Sequence, residues 1–363
     1  APSTGTCPSE IGSALSASSP VPCRFSSESR ARTQGAHPGR AGSAVCDHSA
    51  VFAAISFSEE PRLEFYRTPD SRFDALPEYP FAPNYLDLQA DSGVSHALLR
   101  LHYVDEGDPS ASPVLMLHGE PTWSFLYRKM IPVVVAAGHR AIAPDHIGFG
   151  KSDKPIERSA YSFEAHVDWL HAFVLALDLH DITLVGQDWG GPIGLAVLAR
   201  EPDRFARVVA SNTILHTADP ELAGRLAWAN HGTGMREVCL AEELLDWITF
   251  SQRSPVMEAS WAAQGSTVKP LSPEALNAYD APFPEERAKA GMRQFPILIP
   301  LTRSDPGAAI NRATWRALES FQGPFLTVFG DSDPATQGWQ RIFQERVPGA
   351  ADQPHAILEG AGH

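Results

Sequence analysis

The sequence predicts an α/β protein, with a mostly parallel sheet covered by helices on both faces and an inserted helical cap. Three observations predict it. Apolar, β-branched runs such as Asp181-Ile182-Thr183-Leu184-Val185 and Val208-Val209-Ala210-Ser211 lack the polar alternation of a sheet with one wet face, so they read as strands buried on both sides. These runs alternate with segments of helical apolar spacing across short links, the pattern of parallel strands joined by crossover helices. From about residue 214 to 300 the alternation stops, and helical pieces carrying Trp228, Trp247 and Trp261 take its place, which reads as an insertion over the cleft.

The elements follow in chain order. Residues 1–55 are rich in Ser, Ala, Gly, Pro and Arg without a sustained period, and are expected to be disordered or a non-native extension. Residues 56–213 are expected to form the first part of the core, 214–300 the cap and 301–363 the second part. Order is expected from about Arg67 to Phe73, then Pro80 to Leu86, with strands at Ala97 to Val104 and Pro113 to Leu117. His118-Gly119-Glu120-Pro121 follows the second of these directly. Ser124 to Val135 has helical spacing, His139 to Ala143 makes a strand, and Phe163 to Leu177 makes an amphipathic helix. Beyond the cap come a helix at Arg312 to Ser320, a strand at Pro324 to Phe329 ending in Gly330-Asp331-Ser332-Asp333-Pro334, and a strand at His355 to Leu358 running into Glu359-Gly360-Ala361-Gly362-His363.

Composition narrows the function. The 363 residues, 43% hydrophobic and 20% charged, suffice for one large core. A formal charge of −14, from 29 basic against 43 acidic residues, argues against nucleic acid as a partner. Of the 4 cysteines, Cys7, Cys23 and Cys46 lie in the N-terminal segment and make no disulfide framework. Cys239 reads as a small apolar filler. No metal-ligand spacing, membrane span or signal sequence is present in the pattern, so no metal, cofactor or membrane partner is expected, and a cytoplasmic, monomeric enzyme is.

The chemistry centres on Gly186-Gln187-Asp188-Trp189-Gly190, where a strand turns sharply into a helix. Flanking glycines permit a strained elbow that projects Asp188 at the C-terminal edge of the sheet. A carboxylate there can displace a leaving group from a tetrahedral carbon, and water can still open the resulting ester at its carbonyl; a serine would make an inert ether. His118-Gly119-Glu120-Pro121 can aim backbone N–H groups at developing negative charge. The chain order is Asp188, then Asp331 or Asp333, then His363, each just past a predicted strand: nucleophile, acid, base. Asp145 and His146 form a tempting pair, but adjacent residues rarely converge on one substrate atom, and a structural role is expected.

The stretch from about Thr68 to His363 resembles the haloalkane dehalogenases of the α/β-hydrolase fold, in the subgroup that holds halide with two tryptophans. The residues that carry the resemblance are His118 to Pro132, Gly186-Gln187-Asp188-Trp189-Gly190-Gly191 and Tyr279-Asp280-Ala281-Pro282-Phe283-Pro284. The resemblance implies that Asp188 is the nucleophile, Asp333 the acid and His363 the base. It implies an oxyanion hole from the backbone N–H groups of Glu120 and Trp189, and halide donors at the indole of Trp189 and at a cap tryptophan, Trp247 by the match of Leu244 to Phe250, with Trp261 and Trp228 as the alternatives. The substrates it implies are a small haloalkane and water, with halide as a product. In that family a helix follows the histidine, so a chain ending at His363 is expected to have impaired stability and activity. An epoxide hydrolase of the same fold would need acidic donors in the cap, where Tyr279 is the lone tyrosine. A non-catalytic ligand receptor would not require nucleophile, acid and base in register.

Overall fold

The computed structural model describes residues 63–91, 96–219 and 242–363. The segment 1–55, Trp228 and Cys239 lie outside the described residues. A short antiparallel pair, β1 (Phe65–Tyr66) and β6 (Lys154–Pro155), stands apart from the main sheet. The main sheet comprises β2 (Asn84–Asp91), β3 (His96–Glu106), β4 (Pro113–Leu117), β5 (Arg140–Pro144), β7 (Ile182–Gln187), β8 (Phe205–Ser211), β9 (Phe325–Gly330) and β10 (Ala356–Leu358). Their order across the sheet is β10-β9-β8-β7-β4-β5-β3-β2. The pairings β2·β3 and β3·β5 are antiparallel and the others parallel.

This order places the site. β4 is flanked by β5 on one side and β7 on the other, so successive crossovers leave it in opposite directions. A crevice opens at the carboxyl ends of strands where the winding reverses, and there such sheets bind ligands. The loops after β4, β7, β9 and β10 all emerge at that edge.

The helices are α1 (Ile131–Ala136), α2 (Phe163–Ala176), α3 (Gly190–Arg200), α4 (Glu242–Arg253), α5 (Ala259–Gly265), α6 (Pro273–Asp280), α7 (Ala290–Gln294), α8 (Pro306–Leu318) and α9 (Trp339–Arg346). α2 starts where the Ser162 hydroxyl accepts the N–H of Ala165 at 3.0 Å. Its buried face is Phe163, Val167, Leu170, Phe173 and Val174, at helical spacing. Every residue of β4 is buried, as are Gly190 to Leu198 of α3, which explains why both read as continuous apolar runs. Each large aliphatic side chain so buried contributes about 1.5–3 kcal/mol.

The structure departs from the sequence expectation in two places. Ser124 to Val135 is not one helix: a 3₁₀ turn covers Ser124–Tyr127 and α1 begins at Ile131. Pro132 lacks an N–H and suits the first turn of a new helix better than the middle of a long one. β2, not foreseen as a strand, follows a proline-rich stretch and forms the sheet edge. No described helix is long and apolar enough to cross a membrane.

Candidate active site

Asp188 stands between β7 and α3 with φ at +50°, a left-handed conformation that costs a non-glycine residue about 1 kcal/mol or more. Surrounding bonds hold it there. Its N–H donates to Asn212 O at 3.0 Å, and its carbonyl accepts the N–H of Gly191 at 3.0 Å and the hydroxyl of Thr213 at 2.6 Å. A Cβ on Gly190 would collide with the backbone of Leu117, and one on Gly119 with the Asp188 carboxyl itself. The two loops can therefore close on each other only with glycine at these positions.

Three carboxyl-edge loops converge on this carboxylate. The backbone N–H of Glu120 donates to Asp188 Oδ1 at 2.8 Å. His363 Nε2 lies 3.4 Å from Asp188 Oδ2, and His363 Nδ1–H donates to Asp333 Oδ2 at 2.9 Å. Asp333 is buried, and it also accepts from Asn212 Nδ2 at 2.7 Å, from Ala335 N–H at 2.9 Å and from the Thr336 hydroxyl. Asp331, the alternative acid, is exposed and accepts the N–H of Gly360 at 2.9 Å.

Electrostatics follow from this geometry. Burial alone would lower the pKa of His363, but its bonds to Asp188 and Asp333 and their negative charges outweigh burial and push it up to about 10. Burial would likewise raise that of Asp333, yet the His363 bond and charge, with the Thr336 and Asn212 bonds, hold it down at about 2. The arrangement is a histidine whose proton is held between two carboxylates.

The carboxylate opens into a cavity of about 720 Å³ whose lining includes Glu120, Trp189, Trp247, Phe250 and His363. Trp189 packs edge-on against Phe295 at 5.2 Å, and Trp247 stacks on Phe250 at 5.6 Å. The indole N–H of Trp247 donates to Glu120 Oε2 at 3.0 Å. Trp261 lies at the rim and is 54% exposed, so it is less enclosed than the other two. Tyr279 is buried edge-on against Phe125 and does not line the cavity. No group of residues suited to hold a metal occurs among the described residues.

Sequence reasoning missed two contributors. Asn212, just past β8, bridges the elbow to the acid: its carbonyl accepts Asp188 N–H, its Oδ1 accepts Gly330 N–H at 3.2 Å, and its Nδ2 holds Asp333. A polar residue ending a buried strand was the available signal. The side chain of Glu120 is the second, since only its backbone had been assigned a task.

Residues 112–340 match the family model of the α/β hydrolase fold. The chain is 48% identical over 301 residues to a haloalkane dehalogenase of Psychrobacter cryohalolentis, covering 83% of this chain and 92% of that protein. It is 43% identical to a haloalkane dehalogenase of Mycobacterium marinum, over 82% of this chain and 93% of that one. Among solved structures it resembles the tetrameric haloalkane dehalogenase DpaA of Paraglaciecola agarilytica, with a TM-score of 0.72 and 35% identity over 83% of this chain and 93% of that chain.

Proposed function

Because the chain belongs to the haloalkane dehalogenases, α/β-hydrolase-fold enzymes that hydrolyse haloalkanes to alcohol, halide and proton, we propose which of its residues perform each step. Asp188 Oδ2 attacks the saturated carbon in line and expels halide, which the indole N–H groups of Trp189 and Trp247 receive. An indole suits that task because it donates a hydrogen bond without giving up a proton. Asp188 Oδ1 becomes the carbonyl oxygen of the alkyl ester. Water then attacks that carbonyl carbon, losing a proton to His363 Nε2, while Asp333 orients the imidazole and stabilises its charged form. The tetrahedral intermediate collapses by breaking the bond to the alkyl oxygen, which leaves as alcohol with the proton from His363, and the Asp188 carboxyl releases the remaining proton. The backbone N–H of Glu120, already on Oδ1, and that of Trp189 receive the oxyanion.

The observation that carries this reading is the line Asp188, His363, Asp333, with contacts of 3.4 and 2.9 Å, at the floor of a cavity that also holds both indoles. In the same reading, the described residues of 214–300 form the cap over a core made of the described residues of 56–213 and 301–363. Every residue given a role comes from a single chain.

Displacing halide needs no base, because a carboxylate is already ionised at neutral pH; hydrolysing the ester does. His363→Gln should therefore release about one equivalent of bromide from 1-bromobutane and stall with a butyl group on Asp188. Asp188→Asn should release none. Intact-protein mass spectrometry checks this, and an unmodified His363→Gln protein beside an active parent would overturn the two-step assignment.

A further inference from the structure

The side chain of Glu120 has no task in the scheme above, yet it is buried in the wall of the cavity that contains the nucleophile. Its Oε2 accepts the Trp247 N–H at 3.0 Å, while its Oε1 has no hydrogen-bond partner among the described residues. The same residue's N–H sits on Asp188 Oδ1. A buried carboxylate with one oxygen unpaired and a second carboxylate beside it would be strongly unfavourable. A neutral carboxylic acid fits: Oε1 is enclosed without a charge to solvate, and a proton on Oε2, which accepts from the indole, gives an O–H donor beside Trp247 Nε1.

We propose, building on the halide site assigned above, that Glu120 in its carboxylic acid form is a third hydrogen-bond donor to the departing halide. In the empty site it also holds the N–H of Trp247 in place. The anion arrives where Trp247 Nε1 points, which is at the Glu120 carboxyl itself. As an acid, that group adds an O–H donor; once ionised, it would compete for the Trp247 N–H and repel the halide. Halide binding and release at this site therefore depend on the protonation of Glu120.

The surrounding charges agree with this role. Burial and the neighbouring Asp188 push the Glu120 carboxyl well above the usual carboxylate range, against the opposing pull of the Trp247 bond and of His363. Asp246 on α4 and Asp333 also line the cavity, and His118 and His146, in the loops after β4 and β5, are buried. Among the described residues that line the cavity there is no Lys or Arg, and the cation they offer an ionised Glu120 is His363.

The test is bromide affinity, read from quenching of tryptophan fluorescence between pH 5 and 9.5 on the parent, Glu120→Gln and Trp247→Phe. Glutamine keeps a donor and an acceptor and cannot ionise. The parent should lose bromide affinity by roughly tenfold or more as pH rises, the scale of one charge-assisted hydrogen bond. Glu120→Gln should hold its low-pH affinity further into the alkaline range, keeping only the decline that belongs to His363. If Glu120→Gln follows the same pH curve as the parent, or binds bromide poorly at every pH, the proposal is wrong. Trp247→Phe separates the two layers of the argument. If it weakens bromide while Glu120→Gln leaves the pH curve unmoved, only the role of Glu120 falls; if it binds like the parent, the halide site falls as well, and this proposal with it.

Discussion

In the proposed scheme His363 faces a problem of timing: a base must be neutral when water attacks, yet its pKa is pushed up to about 10 in the resting site. The chemistry of the first step resolves it. Once Asp188 becomes an ester, one of the two carboxylates holding the imidazolium is gone, so the charged form loses part of its stabilisation and the pKa falls. The histidine thus becomes a competent base after the nucleophile has reacted. Asp188→Asn mimics the neutral ester. NMR titration of the His363 ring should find its pKa lower in Asp188→Asn than in the parent, by one unit or more if the contact at 3.4 Å is as strong as a direct ion pair. An unchanged value would mean that Asp333 alone sets it. At this scale the sequence was informative where chemistry restricts residue type: Asp188 and His363 stand out because few other side chains could do their work just past a strand. Asp331 and Asp333 could not be separated from spacing alone, because burial and the bond to His363 distinguish them. Asn212 was missed for a related reason, its position at the end of a buried strand being a weak signal. A lone asparagine after a strand has no periodic signature, and its value comes from bridging residues far apart in the chain.

The loop after β4 is the element on which the proposed Glu120 donor depends, and it is anchored by Asp145. That carboxylate is buried and accepts Ser124 N–H at 2.7 Å, Lys151 N–H at 2.8 Å and His102 Nδ1–H at 2.7 Å. Burial disfavours its charge, but His102, His118 and the Ser124 amide outweigh this and hold it well below the usual carboxylate range. It ties the 3₁₀ turn at Ser124–Tyr127 to the loop after β5. The ring of His146, its neighbour, lies 4.5 Å from that of His118 at a tilt of 54°, and His146 donates its backbone N–H to His118 Nε2 at 3.0 Å. Neither touches Asp188. Asp145→Asn would place amide hydrogens against N–H donors and remove the charge, so it should destabilise the protein by about 3 kcal/mol, measured as a lower midpoint in urea. A midpoint within error of the parent would show that the loop is held by other contacts. Elements with long buried runs, β4, β5, β7 and α3, were legible because burial on all sides leaves a continuous apolar signal. The Ser124 to Val135 region was not, because its apolar spacing is helical while the Asp145 bond and Pro132 divide it. β2 was obscured because it is an edge strand in which Leu88 is the one buried side chain among those described from Asn84 to Gln89.

At the scale of the whole molecule, the site joins parts of the chain that spacing could classify but not assemble. The alternation of strands and helices predicted a parallel sheet, yet the antiparallel β2 and β3 and the central place of β4 depend on pairings between distant segments. The proposed halide site has the same distributed character: Trp189 immediately precedes α3 on the sheet side, while Trp247 belongs to α4 in the region assigned to the cap. An anion held by both indoles should stabilise the folded molecule as a whole, because unfolding destroys a site that neither part contains alone. Bromide at 100 times its dissociation constant should add about 2.7 kcal/mol to the unfolding free energy. If Trp247→Phe weakens bromide about tenfold, the same concentration should stabilise that variant by only about 1.4 kcal/mol. General effects of salt act on both proteins alike, so the informative quantity is the difference between their bromide-induced shifts in Tm, measured by calorimetry at fixed pH and ionic strength. Equal shifts in the two proteins would show that bromide stabilises the fold without bridging Trp189 and Trp247, and would remove α4 from the halide site.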